Sequence, residues 1–199
     1  MKNLLKAAMV ALLLTPLVGC GPKEAEKQGS NTTETHGKKY NVAYLVNGNL
    51  GDKSFFDSAA AGLKTLEEDG RITLKTIEMG GTDADKPRWL QTLYEVSDLA
   101  EYDLIICGTY QMPDFLKEVA TKYPDQKYAI FDDNTYAGEN KNVLNLTYKQ
   151  NELGYIIGTL AASMTTDTSV ERINPEKVIG FVGGIDSPVI NDFLYGYIT

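Results

Sequence analysis

From Tyr40 onward, short β-branched and apolar runs alternate with longer stretches whose apolar positions recur at helical spacing. "NVAYLV" reads as a strand and Ser54 to Glu68 as a helix; "ITLKTIE" and "KPRWLQTLYEVSDL" repeat the pair. "DLIICG", the helix "PDFLKEVATKY", "KYAIFD" and the strand-like "NVLNLT" continue it. This alternation predicts an α/β fold, a parallel sheet covered by helices on both faces. In the first helix Phe56, Ala59, Ala60, Leu63 and Leu66 fall on one stripe, which makes Phe56 the core anchor. Phe55 is turned about 100° away, above small Ala59 and Gly62. It is placed either to stack on a planar ligand or to pack under a neighbouring loop.

After Thr147 the pattern shifts. "NELGYIIGTLAASM" is a helix rich in small residues, "KVIGFVGGI" reads as a strand, and "SPVINDFLYGYIT" opens another helix. One strand with a helix before it and part of one after cannot build a second sheet. Residues 150–199 therefore read as the opening of a second lobe; completion of the first sheet as a single domain is the competing reading. Ahead of the globular part, residues 1–19 have the pattern of an export signal. Lys2 and Lys6 precede the run "AAMVALLLTPLVG", which is too short to span a bilayer. The run ends in Leu17-Val18-Gly19-Cys20, which resembles the lipobox of bacterial lipoproteins, with Cys20 the lipidated residue; an ordinary secretory signal is the alternative. Residues 20–39 then form a polar tether with no aliphatic side chain larger than Ala25.

Composition narrows the chemistry. His36, the only histidine, lies in the tether, so a catalytic or metal role for it is disfavoured. With Cys20 assigned to lipid, Cys107 has no partner for an intramolecular disulfide and reads as a buried inert thiol. No zinc-ligand spacing is present, and a formal charge of −8 disfavours nucleic-acid binding.

The strand exits carry the candidate site. They read Asn47-Gly48, Gly80-Gly81, Gly108-Thr109 and Asp132-Asp133, with Gly183-Gly184 later. Open α/β sheets bind ligands outside the carboxyl ends of their strands, where glycine permits close backbone approach or a tight turn. The first exit, "GNLGDKSFFDSAAAG", is not a phosphate loop. Its first two glycines are separated by only two residues, and neither G-x-x-x-x-G-K-[ST] nor G-x-G-x-x-G is present. Asp52, Asp132 and Asp133 would repel a phosphate. Asp52 and Ser54 are helix-cap candidates, and Ser54 to Asp57 resembles a capping box with Asp in place of Glu.

"LVNGNLGDKSFFDSAAAGL", "YDLIICGTYQMPDFLKEVATKYPDQKYAIFDD", "NELGYIIGTLAASM" and "KVIGFVGGIDSPVINDFLYGY" together resemble the basic membrane protein family of lipoproteins. The match runs in order from Val42 to Tyr197 and joins the lipobox. These are substrate-binding components of ABC importers, several of which bind purine nucleosides. The resemblance implies a type I periplasmic-binding-protein fold, two lobes closing about a hinge, near twice the length of the globular part here. It implies a signal at 1–19, a lipidated tether at 20–39, a first lobe at 40–148 and an incomplete second lobe at 149–199. The family's base-stacking aromatic corresponds to Phe55. The next position, commonly an asparagine that bonds the base, is Phe56, so one expected hydrogen bond is missing. Asn47 ends the first strand and Asp132 the fourth, where a carboxylate would accept from ring N–H or amino groups. With the cap candidates Asp52 and Ser54 facing the ligand as well, the expected ligand set is Asn47, Asp52, Ser54, Phe55 and Asp132.

The expected function is capture of a nucleoside-like ligand for import by a membrane permease. The chain would be held at the extracytoplasmic face of the cell membrane by lipid on Cys20. A monomer is expected, with no cofactor, no metal and no catalysis. Two other readings stand beside it: a surface lipoprotein for adhesion or partner binding, and a metal-dependent phosphoryl-accepting domain using Asp132 and Asp133 with Asp52 and Lys53.

Overall fold

A computed structural model describes residues 37–51, 53–167, 169 and 176–199. The calls on the signal, on Cys20, on His36 and on Asp52 lie outside the described residues. Gly37–Thr199 form one compact unit.

Five strands, β1 (Tyr40–Val46), β2 (Ile72–Glu78), β3 (Leu104–Gly108), β4 (Tyr128–Phe131) and β5 (Val143–Leu146), make one sheet in the order β2-β1-β3-β4-β5. Every pairing is parallel, so each connection crosses over the sheet through a helix or a long loop. The helices are α1 (Phe55–Glu68), α2 (Lys86–Asp98), α3 (Pro113–Lys122), α4 (Gln150–Thr166) and α5 (Pro188–Ile198). Observed bounds lie within a few residues of those read from periodicity.

Period two along β1 sorts its side chains between two cores. Ala43 and Leu45 join Trp89, Leu93 and Val96 of α2 and Leu116 and Val119 of α3. Tyr44 and Val46 point the other way and meet Phe55, Phe56, Ala59, Ala60 and Leu63 of α1. Trp89 anchors the first core; its ring is buried and its Nε1 donates to the Gly80 carbonyl at 2.8 Å. That bond satisfies the indole N–H and ties α2 to the exit of β2. On the same face Ser97 and Tyr128 share a buried 2.8 Å hydroxyl pair.

The run "KVIGFVGGI" is not a strand. Strands exist only as hydrogen-bonded neighbours, none of the sheet's registers reaches past Leu146, and Val182 stands 96% exposed. Residues 150–199 thus add helices but no strand to this sheet among the described residues. Their small-residue pattern has a packing cause. A Cβ on Gly154 or Gly158 would strike the Phe193 or Tyr197 carbonyl oxygen, and one on Gly196 that of Asn151, so α4 and α5 meet backbone to backbone. Asp192 of α5 accepts from the Asn151 N–H at 3.1 Å, filling one orphan donor of the first turn of α4. Leu153, Ile156, Ile157 and Leu160 of α4 and Ile198 of α5 remain exposed.

Candidate functional site

The strand order reverses direction between β1 and β3, the switch point where ligands seat in open α/β sheets. Two side chains meet across it. Asn47, just past β1 and buried, donates from Nδ2 to Thr109 Oγ1 at 3.0 Å and to Gln111 Oε1 at 3.2 Å. Thr109 holds φ at 75°, a left-handed value that costs a β-branched residue about 1–3 kcal/mol. Bonds on either side hold it there: its N–H donates to the Phe131 carbonyl at 3.0 Å, and its carbonyl accepts from Met112 at 3.2 Å. Asp132, at the next exit, is also left-handed, with φ 62°.

Asp132 and Asp133 have different tasks. Asp133 is spent on its own turn, accepting from the Thr135 N–H at 2.8 Å and hydroxyl at 2.9 Å. Asp132 accepts from Gln150 Nε2 at 3.0 Å, a bond that reaches it from the first residue of α4. Burial pushes the Asp132 carboxyl above its ordinary range, the Gln150 bond opposes this, and the Asp133 charge adds to it. The described residues hold no cluster of three His, Cys, Asp or Glu placed to bind a metal.

The opening loop is built differently from the capping box read in the sequence. Ser54 stands at the N-cap, but its side chain makes no capping hydrogen bond. The carboxylate of Asp57 instead reaches back to accept from the Gly51 N–H at 2.8 Å and the Lys53 N–H at 2.6 Å. Ser54 itself is exposed. Glycine at the exits makes room for the chain's own rings. A Cβ on Gly48 would lie 2.6 Å from the Phe56 ring, and one on Gly108 would enter the Phe131 ring.

The two phenylalanines divide their work less sharply than the helical stripe implies. Both are half-buried and pack edge to face, with centroids 5.7 Å apart. Phe56 covers Gly48, while Phe55 leans on Phe131 at 5.1 Å. Phe131 in turn contacts Tyr44 at 6.2 Å, which makes an aromatic wall beside Asp132. Phe55 is thus neither a free stacking platform nor a loop-buried ring. It is the outer member of a ring cluster, held by the core on one side and partly open on the other.

Of the five expected ligand residues, Asn47 and Asp132 lie at the exits of β1 and β4, with β3 between them. Phe55 reaches the β4 side through Phe131. Ser54 stays at the foot of α1. Thr109, Gln111 and Gln150 were missed. Thr109 follows Gly108 directly and Gln111 comes two residues later, and their position just past a predicted strand was the available signal. The contact of Gln150 depends on how α4 docks, which no local pattern encodes.

Residues 39–199 match the model of the Bmp family, ABC transporter substrate-binding protein PnrA-like. The chain belongs to this family. It is 31% identical over 158 residues to basic membrane protein A of Borreliella burgdorferi, covering 78% of this chain and 42% of that one. An uncharacterised lipoprotein of Pyrococcus abyssi is 29% identical over 196 residues, 98% of this chain and 44% of the relative. Among solved structures, an ABC transporter solute-binding protein from Aeropyrum pernix superposes with a TM-score of 0.67 at 28% identity. That match covers 80% of this chain and 42% of the other. The chain spans less than half the length of these relatives. The family is one of ABC transporter substrate-binding proteins, and the parallel sheet carries polar side chains at its strand exits.

Proposed function

We propose that this chain supplies one wall of a solute receptor that captures a neutral, nucleoside-like ligand for an ABC importer. The observation that carries the reading is the set of side chains at the strand exits around the switch point. The buried, unpartnered Asn47 Oδ1 and the Asp132 carboxylate are hydrogen-bond acceptors on either side of β3, and the half-buried ring of Phe55 packs on Phe131, the residue before Asp132. A flat ring bearing amino or ring N–H groups satisfies all three. A phosphate satisfies none, since a carboxylate repels it. Stacking on one aromatic contributes about 1–3 kcal/mol per base.

Transport follows from closure. A ligand that touches both lobes of a two-lobed receptor favours the closed state by the difference between its affinities for closed and open forms. Lipid on Cys20 would keep the receptor at the outer face of the membrane, beside its permease. Several acyl chains anchor stably, each buried CH₂ contributing about 0.8 kcal/mol. Calorimetry with adenosine, guanosine and inosine tests the reading. The full chain should bind at least one of them. Heat that is unaffected by Phe55→Ala and Asp132→Asn would refute it.

A further inference from the structure

The Asn47 side chain, 2% exposed, has spent both amide hydrogens on Thr109 and Gln111. Its Oδ1 is buried and has no hydrogen-bond partner. Buried side-chain oxygens in native proteins are nearly always paired, because an unmade bond leaves the desolvation of the acceptor uncompensated. This atom is the one such orphan among the described residues, and it lies at the switch point.

We propose that Thr109 and Gln111 are positioning residues that lock the Asn47 amide with its nitrogen consumed and its oxygen reserved for a ligand donor. The proposal rests on the solute-capture reading and names what the site selects. In this arrangement each partner presents an acceptor to Nδ2, which turns the amide oxygen away from both. Thr109 does so from a strained backbone fastened to Phe131 and Met112, which places its hydroxyl across the switch point. Gln111 is partly exposed, so its carbonyl turns inward to Asn47 by choice of rotamer rather than by confinement. Asn47 and Asp132 end strands two places apart, about 10 Å at the usual strand spacing of about 4.8 Å. The exits of β1 and β4 therefore carry acceptors about 10 Å apart, and a solute that spans them needs donors at both ends. A nucleoside bearing a ring N–H or amino group and sugar hydroxyls fits. An acceptor-only or anionic solute leaves the Asn47 oxygen as unpaired as before.

Two NMR readouts on the ¹⁵N-labelled full chain separate positioning from binding. Without ligand, the Asn47 side-chain amide hydrogens should exchange with water slowly. Exchange should accelerate at least tenfold in Gln111→Ala and in Thr109→Gly, and Thr109→Ser should restore protection. With millimolar inosine and purine riboside, which differ in the N1–H donor, wild type should favour inosine at least fivefold. Gln111→Ala should bring that ratio near one without weakening purine riboside. Fast Asn47 exchange in wild type, or protection unchanged in both variants, overturns the positioning role. Slow exchange with no nucleoside shifting any crevice resonance overturns the solute reading and the selectivity with it. An inosine preference that survives Gln111→Ala and Thr109→Gly overturns the selectivity alone.

Discussion

Gly108→Ala tests the crevice floor where its geometry is tightest. Gly108 ends β3 against Phe131, and its backbone is not in the left-handed region, so glycine is required there by space rather than by conformation. A Cβ would enter the Phe131 ring, which is itself buried between Tyr44 and Phe55. Overpacking of this kind costs about 1–3 kcal/mol. Replacing a strand glycine by alanine returns about 0.5–1 kcal/mol of backbone entropy. The net expectation is a loss centred on about 1 kcal/mol and at most about 2.5 kcal/mol, which lowers Tm by at most roughly 10 °C for a unit of this size. In urea the midpoint should fall by about 0.3–1 M with the slope unchanged. Adding Phe131→Leu removes the clashing ring edge. The double variant should then be less destabilised than the sum of the singles by at least about 0.5 kcal/mol. Strict additivity, or a midpoint for Gly108→Ala equal to wild type, would refute the packing.

Phe55→Ala should weaken nucleoside binding about 5- to 150-fold, from about 1–3 kcal/mol of lost stacking at about 1.4 kcal/mol per decade. Retained affinity in calorimetry would show that the base sits elsewhere. Asp132 titrates above its ordinary value of 3.8 chiefly because burial disfavours its charge. The folded state therefore binds the proton more tightly than the unfolded one, and stability falls as pH rises from 3.8 through the folded value. Asp132→Asn, which keeps an acceptor for Gln150, should be more stable than wild type at pH 7, with the gap closing below pH 3.8 in urea titrations. A gap independent of pH would count against this. Cys107 is buried and its thiol is pushed up to about 12, by burial first and then by Asp133. Disulfide-exchange reagents at pH 8 should leave it unmodified until denaturant is added; rapid native labelling would contradict that burial.

Much of the fold was legible because each element carries its own period. Strands β1 to β4 are short runs of apolar, β-branched and aromatic residues, and α2 and α3 show clean apolar stripes. "KVIGFVGGI" has the same local signal and forms no strand, since pairing is a property of two segments and propensity of one. The strand exits were legible in their positions more than in their bonds. Asn47 and Asp132 could be named because they end strands. Their partners Thr109, Gln111 and Gln150 could not, because side-chain hydrogen bonds depend on strand order and helix docking. The capping reading failed at Ser54 for a related reason. Asp57 had two backbone donors within reach in the loop, and it took those instead.

Central to the account is that the crevice at the ends of β1, β3 and β4 receives the base of a nucleoside, with Phe55 against its face. Intermolecular nuclear Overhauser contacts between the ring protons of Phe55 and the H8 and H2 protons of bound purine nucleosides test this most directly. The account predicts such contacts, accompanied by shifts at Asn47, Thr109 and Asp132. Contacts confined to the exposed apolar faces of α4 and α5, with those three resonances unmoved, would contradict it.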